Sequence, residues 1–286
     1  MLKVVPGELP QPKLHEYLLS CVAPRPIAFV STVDRQGKVN LAPFSFFNVF
    51  GSNPPVLIFS PALSGRTGKA KNTLENLREN GECVVNIVSY DIIHQCNLAS
   101  AEFDKGVDEF IKAGLNKLPA EKVKPPRLAE SKAQMECKVL QIIETGTGGG
   151  AGNLVVCEVL LLHISEKVLD ESGSVSPYLF DQVARMGKNF WARMIPEAII
   201  SMPPMPDANQ IIGFDQLPEN VKLSPLLTAN EKALLARSPK FPHYDDIVPY
   251  VDLANHSKEQ IVEACRNKLL EGNYFDALCI ASLLPS

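Results

Sequence analysis

Arg25-Pro26-Ile27-Ala28-Phe29-Val30-Ser31-Thr32, followed after a turn by Asn40-Leu41-Ala42-Pro43-Phe44-Ser45, is the stretch on which the fold turns. Ile27 to Val33 is an apolar run too short for a helix and rich in strand formers, and it carries the hydroxyls of Ser31 and Thr32. Asp34-Arg35-Gln36-Gly37 has turn chemistry. Pro43 removes a backbone donor, which implies a bend or a sheet edge. Working outward, Pro55 to Ser60, Glu82 to Ser89, Met135 to Glu144 and Leu154 to Ile164 are further short apolar runs. They are spread too widely for regular strand–helix units, so the pattern predicts a mainly β protein, an antiparallel barrel with a few inserted helices.

Between two of these strands lies Ser64-Gly65-Arg66-Thr67-Gly68-Lys69-Ala70-Lys71-Asn72-Thr73. Arg66, Lys69 and Lys71 bring positive charge, and Gly65 and Gly68 let backbone approach a ligand. Asn72-Thr73 is expected to cap a helix from Leu74 to Asn80, stopped by Gly81. A helix N-terminus with nearby cations favours an anion. This is not a Walker loop, because Ala70 follows Gly68-Lys69 where Ser or Thr is needed. The plainer alternative is a solvated basic loop with an ordinary cap. Ser31 and Thr32 are strand neighbours and point to opposite faces, so one of them at most faces a ligand. Ser45 is placed to aim its hydroxyl at a phosphate while Ala42 and Phe44 line a ring; a bulged strand with a buried serine is the competing account. Small polar groups, a cationic loop and a helix start together suit one phosphate on a flat aromatic ligand.

By alternation His163 shares a strand face with Cys157, Val159 and Leu161, with Glu158 on the other. It is read either as a hydrogen-bonded core histidine or as a group at the rim of a ligand site. Gly146-Thr147-Gly148-Gly149-Gly150-Ala151 matches a dinucleotide fingerprint on paper, but a strand follows it where a helix is required, so it is a hairpin loop. The other histidines, His15, His94, His243 and His256, show no metal-ligand spacing.

The chain has 286 residues, 45% of them hydrophobic, and a formal net charge of -4, which argues against a nucleic-acid partner. Lys117 to Arg127 is a local basic run, read as a solvated loop. The seven cysteines form no CxxC pair, which points to a reducing compartment. Met1 to Pro12 is too polar and proline-rich for a signal peptide, and no apolar run approaches a membrane span. A soluble, cytoplasmic protein is expected.

Prolines from Pro196 onward break the chain into loops before helices return. Thr228-Ala229-Asn230-Glu231 and Ser257-Lys258-Glu259-Gln260 are capping boxes. The second opens a helix to about Glu271 with an apolar stripe of Ile261, Val262, Cys265 and Leu269, and Asn273 is set to cap a last helix. The expected organisation is a barrel domain over 1–194 and a proline-rich linker with a mainly helical C-terminal extension over 195–286.

The ordered set of Arg25 to Thr32, Asn40 to Ser45, Asn53-Pro54-Pro55-Val56-Leu57 and Lys71-Asn72-Thr73 resembles the flavin reductase-like family. These are FMN-binding split barrels that include flavoredoxin-type proteins and the reductase components of two-component monooxygenases. The likeness continues through Asp108-Glu109-Phe110, Glu130-Ser131, Cys157-Glu158-Val159 with His163, and Val183-Ala184-Arg185-Met186-Gly187, over roughly residues 10–194. It implies a homodimer with FMN at or near the interface, and hydride transfer from NADH or NADPH to the flavin. It implies that Ser31 or Thr32, Ser45, Lys71, Asn72 and Thr73 hold the ribityl phosphate, and that Ala42, Pro43 and Phe44 line the isoalloxazine. Asn40, Ser60 and Arg66 complete the expected cofactor contacts, while His163 and Arg185 are expected near the ring or nicotinamide. The acceptor is a small molecule or a partner redox protein. Two departures stand out: Lys188 and Trp191 replace the glycine and tyrosine common in relatives. The competing functions are a flavin-binding electron carrier without turnover, and a split barrel holding another planar cofactor such as haem, with His163 as axial ligand.

Overall fold

β1 (Ala28–Val33) is buried along its whole length because both of its faces are covered. Ala28 and Val30 face one core, with Leu57, Phe59 and Val155; Ile27 and Phe29 face another, with Leu41, Phe110 and Leu128. That is why it reads as a continuous apolar run rather than an alternating one. The computed structural model describes residues 1–285. The chain divides into two units, Met1–Ile200 and Ser201–Ser286.

In the first unit the further strands are β2 (Val39–Phe44), β3 (Phe47–Ser52), β4 (Pro55–Phe59), β5 (Glu82–Ile87), β6 (Lys117–Leu118), β7 (Arg127–Leu128), β8 (Ala133–Glu144), β9 (Asn153–Ile164), β10 (Val183–Arg185) and β11 (Trp191–Arg193). Seven of them form one antiparallel sheet in the order β2-β1-β5-β8-β9-β4-β3. β6 pairs with β7, and β10 with β11, in two small hairpins. β2 and β3 are the two outer edges, yet β2 ends at Phe44 and β3 begins at Phe47. Three residue steps reach no further than about 11 Å. The sheet must therefore roll until its edges nearly meet, without pairing. The result is a split barrel, open along Phe44 to Phe47, and Pro43, read from the sequence as a bend or sheet edge, lies on the edge strand β2 beside that opening.

The first unit carries α1 (Gln11–Cys21), α2 (Asn72–Asn80), α3 (Ile93–Leu98), α4 (Glu109–Ala113) and α5 (Pro177–Phe180). α2 drops Leu74 and Leu77 into the barrel core, each burial contributing roughly 1.5–3 kcal/mol. Gly81 ends α2 at φ +66°, a left-handed position that favours glycine. One expectation is corrected here: Asn72 and Thr73 lie inside the first turn, Lys71 occupies the cap position, and no side chain caps the helix. Their side chains are drawn elsewhere, Asn72 to the Phe103 carbonyl and Thr73 to Asn40. Asp108 caps α4 and Gly114 stops it at φ +66°.

The second unit holds α6 (Glu219–Leu223), α7 (Ala229–Leu235), α8 (Tyr244–Ile247), α9 (Lys258–Leu270) and α10 (Tyr274–Ala281) around its own core, which includes Val221, Leu235, Ile261, Cys265 and Leu278. Both predicted capping boxes form, and Asn273 caps α10 by accepting from the Asp276 N–H. No helix among the described residues is long and apolar enough to cross a membrane.

Candidate functional site

Three cavities meet at Pro43 and Phe44, where β2 runs out and the barrel is split. The first, about 260 Å³, has Asn40, Ala42, Lys71, Asn72, Thr73 and Glu102 in its wall. The second, about 150 Å³, adds Ile27, Ser45, Cys96, Arg185 and Trp191. The third, about 640 Å³, extends along α1 past Gln11 and His15 to Phe46, Ser60 and Arg66. The largest of them falls within the span of about 300–1,000 Å³ usual for small-molecule sites.

A buried polar brace supports the floor. Asn40 donates from Nδ2 to Glu109 Oε1 at 2.8 Å, and the Leu41 N–H donates to Glu109 Oε2 at 2.9 Å. Thr73 donates to Asn40 Oδ1 at 2.7 Å. Thr32 donates to the same oxygen at 3.4 Å and accepts from Asn76 at 3.0 Å. Burial raises the Glu109 carboxyl above its ordinary value, against the lowering effect of the Leu41 and Asn40 donors. The brace ties β1, β2, α2 and α4 together, so the N-terminal turn of α2 is held against the end of β2.

Cations gather at that turn. Lys71 Nζ lies 2.7 Å from Glu102 Oε1, and Arg66 Nη2 lies 2.9 Å from Glu102 Oε2. With no capping side chain, the first N–H groups of α2 are left for whatever occupies the cleft. The apolar wall of Ala42, Pro43 and Phe44 suits the face of a flat ring, and the α2 terminus with Lys71 and Arg66 suits a phosphate. The residues present therefore fit a flavin mononucleotide.

The remaining expected contacts distribute unevenly. Ser45 faces the second and third cavities, and its hydroxyl accepts from Arg25 Nε at 3.4 Å. Ser60 lines the third cavity, its Oγ accepting from the Asn153 N–H at 3.0 Å. Arg185 reaches the second cavity, stacks 4.9 Å from the Trp191 ring centre and donates to the Lys188 carbonyl at 2.9 Å. Lys188 stands at φ +54°, a left-handed conformation that explains why a glycine is the easier residue there. Ser31 and Thr32 turn to opposite sides of β1. Ser31 donates to the Pro126 carbonyl, Thr32 joins the brace, and neither lines the three cavities.

His163 is not brought to this cleft within the chain. Its Nε2 lies 2.7 Å from Glu136 Oε1, and it lines a separate cavity with Arg127, Lys132 and Lys167. Burial alone would raise the Glu136 carboxyl, but the Glu121 and Lys122 N–H groups and then His163 together hold it below the usual value. Sequence reasoning missed Glu102 and the bracing role of Glu109. The DEF run marked Glu109 as part of a resemblance; nothing local marked Glu102, whose partners lie 31 and 36 residues away.

A family model described as flavin reductase like domain matches residues 19–186. The chain belongs to this flavin reductase-like family. An uncharacterised protein of Aquifex aeolicus is 35% identical over 185 residues, covering 64% of this chain and 91% of that protein. Among solved structures, nitrilotriacetate monooxygenase component B of Bacillus cereus has a TM-score of 0.64 at 28% identity, covering 68% of this chain and 95% of the other. The 2-nitrobenzoate 2-nitroreductase NbaA of Pseudomonas fluorescens has a TM-score of 0.62 at 25% identity, covering 72% of this chain and 100% of the other. The flavin reductase-like match spans the split barrel and stops before the C-terminal helical unit.

Proposed function

We propose that this flavin reductase-like protein binds FMN in the cleft at the split of the barrel and passes reducing equivalents from NADH or NADPH to an acceptor. The observation that carries this is the meeting of an uncapped α2 N-terminus, Lys71 and Arg66 with the Ala42-Pro43-Phe44 wall. Bound flavin would supply the hydride chemistry itself. The protein's tasks are then to hold the phosphate, present one ring face and supply compensating charge. Lys71, Arg66 and the α2 N–H groups do the first, and Pro43 and Phe44 do the second. Arg185, fixed over Trp191 at the second cavity, supplies positive charge where charge develops on reduction. The named similarity to a monooxygenase component and a nitroreductase supports an oxidoreductase, with a small molecule or a partner redox protein as acceptor.

A homodimer is part of this proposal. β4 covers β9 only from Val155 to Glu158, so Leu160, Leu162 and Ile164 project exposed beyond it, with Leu140 and Ile143 exposed on β8. An apolar surface of that kind on a split barrel suits a second copy of the chain. The haem alternative loses its axial ligand, because His163 is bound to Glu136 away from the cleft. Titration of the flavin-stripped protein with FMN tests the reading: saturation at one FMN per chain is expected, and no uptake would overturn it.

A further inference from the structure

Glu102 sits where an anionic ligand belongs. It lies between α3 and α4, borders both the first and third cavities, and divides its carboxylate between two of the cations that line them. Oε1 takes Lys71 at 2.7 Å and Oε2 takes Arg66 at 2.9 Å. Lys71 first and then Arg66 hold its carboxyl below the ordinary value, so it stays ionised wherever the site works. The side chain is otherwise unrestrained: beyond those two cations it makes no hydrogen bond among the described residues. Its loop is tethered by Asn72, which donates to the Phe103 carbonyl at 3.3 Å.

We propose that Glu102 is a built-in competitor for the flavin phosphate, displaced when phosphate enters and restored when it leaves. This rests on the flavin reading and deepens it: the ligand class is a flavin phosphate monoester exchanged with solution, not a group held permanently. The balance follows from charge. A phosphate brings nearly two negative charges and three acceptor oxygens, so it can take Lys71 and Arg66 and also the α2 N–H groups. A carboxylate brings one charge and reaches no further than the two cations. Both ion pairs are solvent-exposed, with Arg66 80% and Glu102 44% accessible, so each is weak enough to break without a large barrier. Glu102 thereby makes phosphate binding an exchange of anions and lowers the affinity for FMN, while leaving a flavin without phosphate unaffected.

The test compares flavin-stripped wild type with Glu102→Gln and Glu102→Ala, titrated by fluorescence with FMN and with riboflavin. Both variants change an exposed loop side chain, so folding is preserved. FMN is expected to bind the variants about two- to ten-fold more tightly, the range carried by one or two exposed ion pairs. Riboflavin affinity is expected to stay the same, and the FMN difference to shrink as salt is raised. Unchanged or weaker FMN binding in both variants overturns the competitor role, and so does equal tightening of riboflavin. Failure of wild type and variants alike to bind FMN would instead overturn the flavin reading, and the competitor role with it.

Discussion

Asn40 hands its side-chain N–H to the Glu109 carboxylate at 2.8 Å, in the interior of the protein and directly under the cleft. Because Thr73 donates to the same Asn40 at 2.7 Å, the start of α2 is positioned through Asn40 by the buried Glu109 carboxylate. Glu109→Ala leaves the Leu41 and Asn40 donors buried without acceptors, each costing about 1–3 kcal/mol. The expected outcome is reduced unfolding free energy in urea together with weaker FMN binding. Unchanged stability would mean the brace is not formed.

The same carboxyl predicts a pH dependence. Burial raises the folded-state value of Glu109 above 4.5, so the folded protein binds this proton more tightly than the unfolded chain does. Its ionised form costs stability at neutral pH, and that cost fades as pH falls through the raised value toward 4.5. Measured against Glu109→Gln, which cannot titrate, wild type is expected to gain relative stability between pH 7 and about 4.5. A relative loss over that window would contradict the assignment.

At the phosphate site, Lys71→Ala with Thr73→Ala is expected to weaken FMN binding by roughly ten-fold or more, as loss of a charge-assisted contact of 1.5–3 kcal/mol requires. Riboflavin should lose less, since it lacks the phosphate. Equal affinity of wild type and variant for FMN would remove this turn from the site.

His163→Ala tests the other histidine reading. The variant deprives Glu136 of one partner and is expected to lose about 1.5–3 kcal/mol of stability at neutral pH. Glu136 is held below 4.5, so its stabilisation is present above 4.5 and is lost as pH falls through its depressed value. The gap between wild type and variant should therefore close in acid. FMN affinity is expected to stay constant. A slower NADPH oxidation with flavin retained and stability intact would instead put His163 beside a partner subunit's cleft.

Much of this was legible because the signals are local. β1, β5, β8 and β9 are apolar runs bounded by turn residues, and α2, α7 and α9 carry caps or a terminal glycine. α1 was not, because it starts without a side-chain cap and buries no residue, so no apolar stripe marks it. β10 and β11 span only three residues each, too few to show a period. The cation loop was readable, but its Glu102 counter-charge is set by a contact across the fold. Alternation assigned His163 to a strand face, yet it could not say that Glu136 on the neighbouring strand would claim it. Ser31 and Thr32 are hydroxyls at adjacent strand positions, and no local pattern announces that their partners across the fold are the Pro126 carbonyl and Asn40.

The most direct test of the central claim is the visible spectrum of the protein reconstituted with FMN, followed without oxygen as NADH or NADPH is added. The account predicts that bound oxidised-flavin absorbance is present and bleaches on addition of at least one of the two donors. Protein that takes up no FMN, or bound flavin that neither donor reduces, would contradict it.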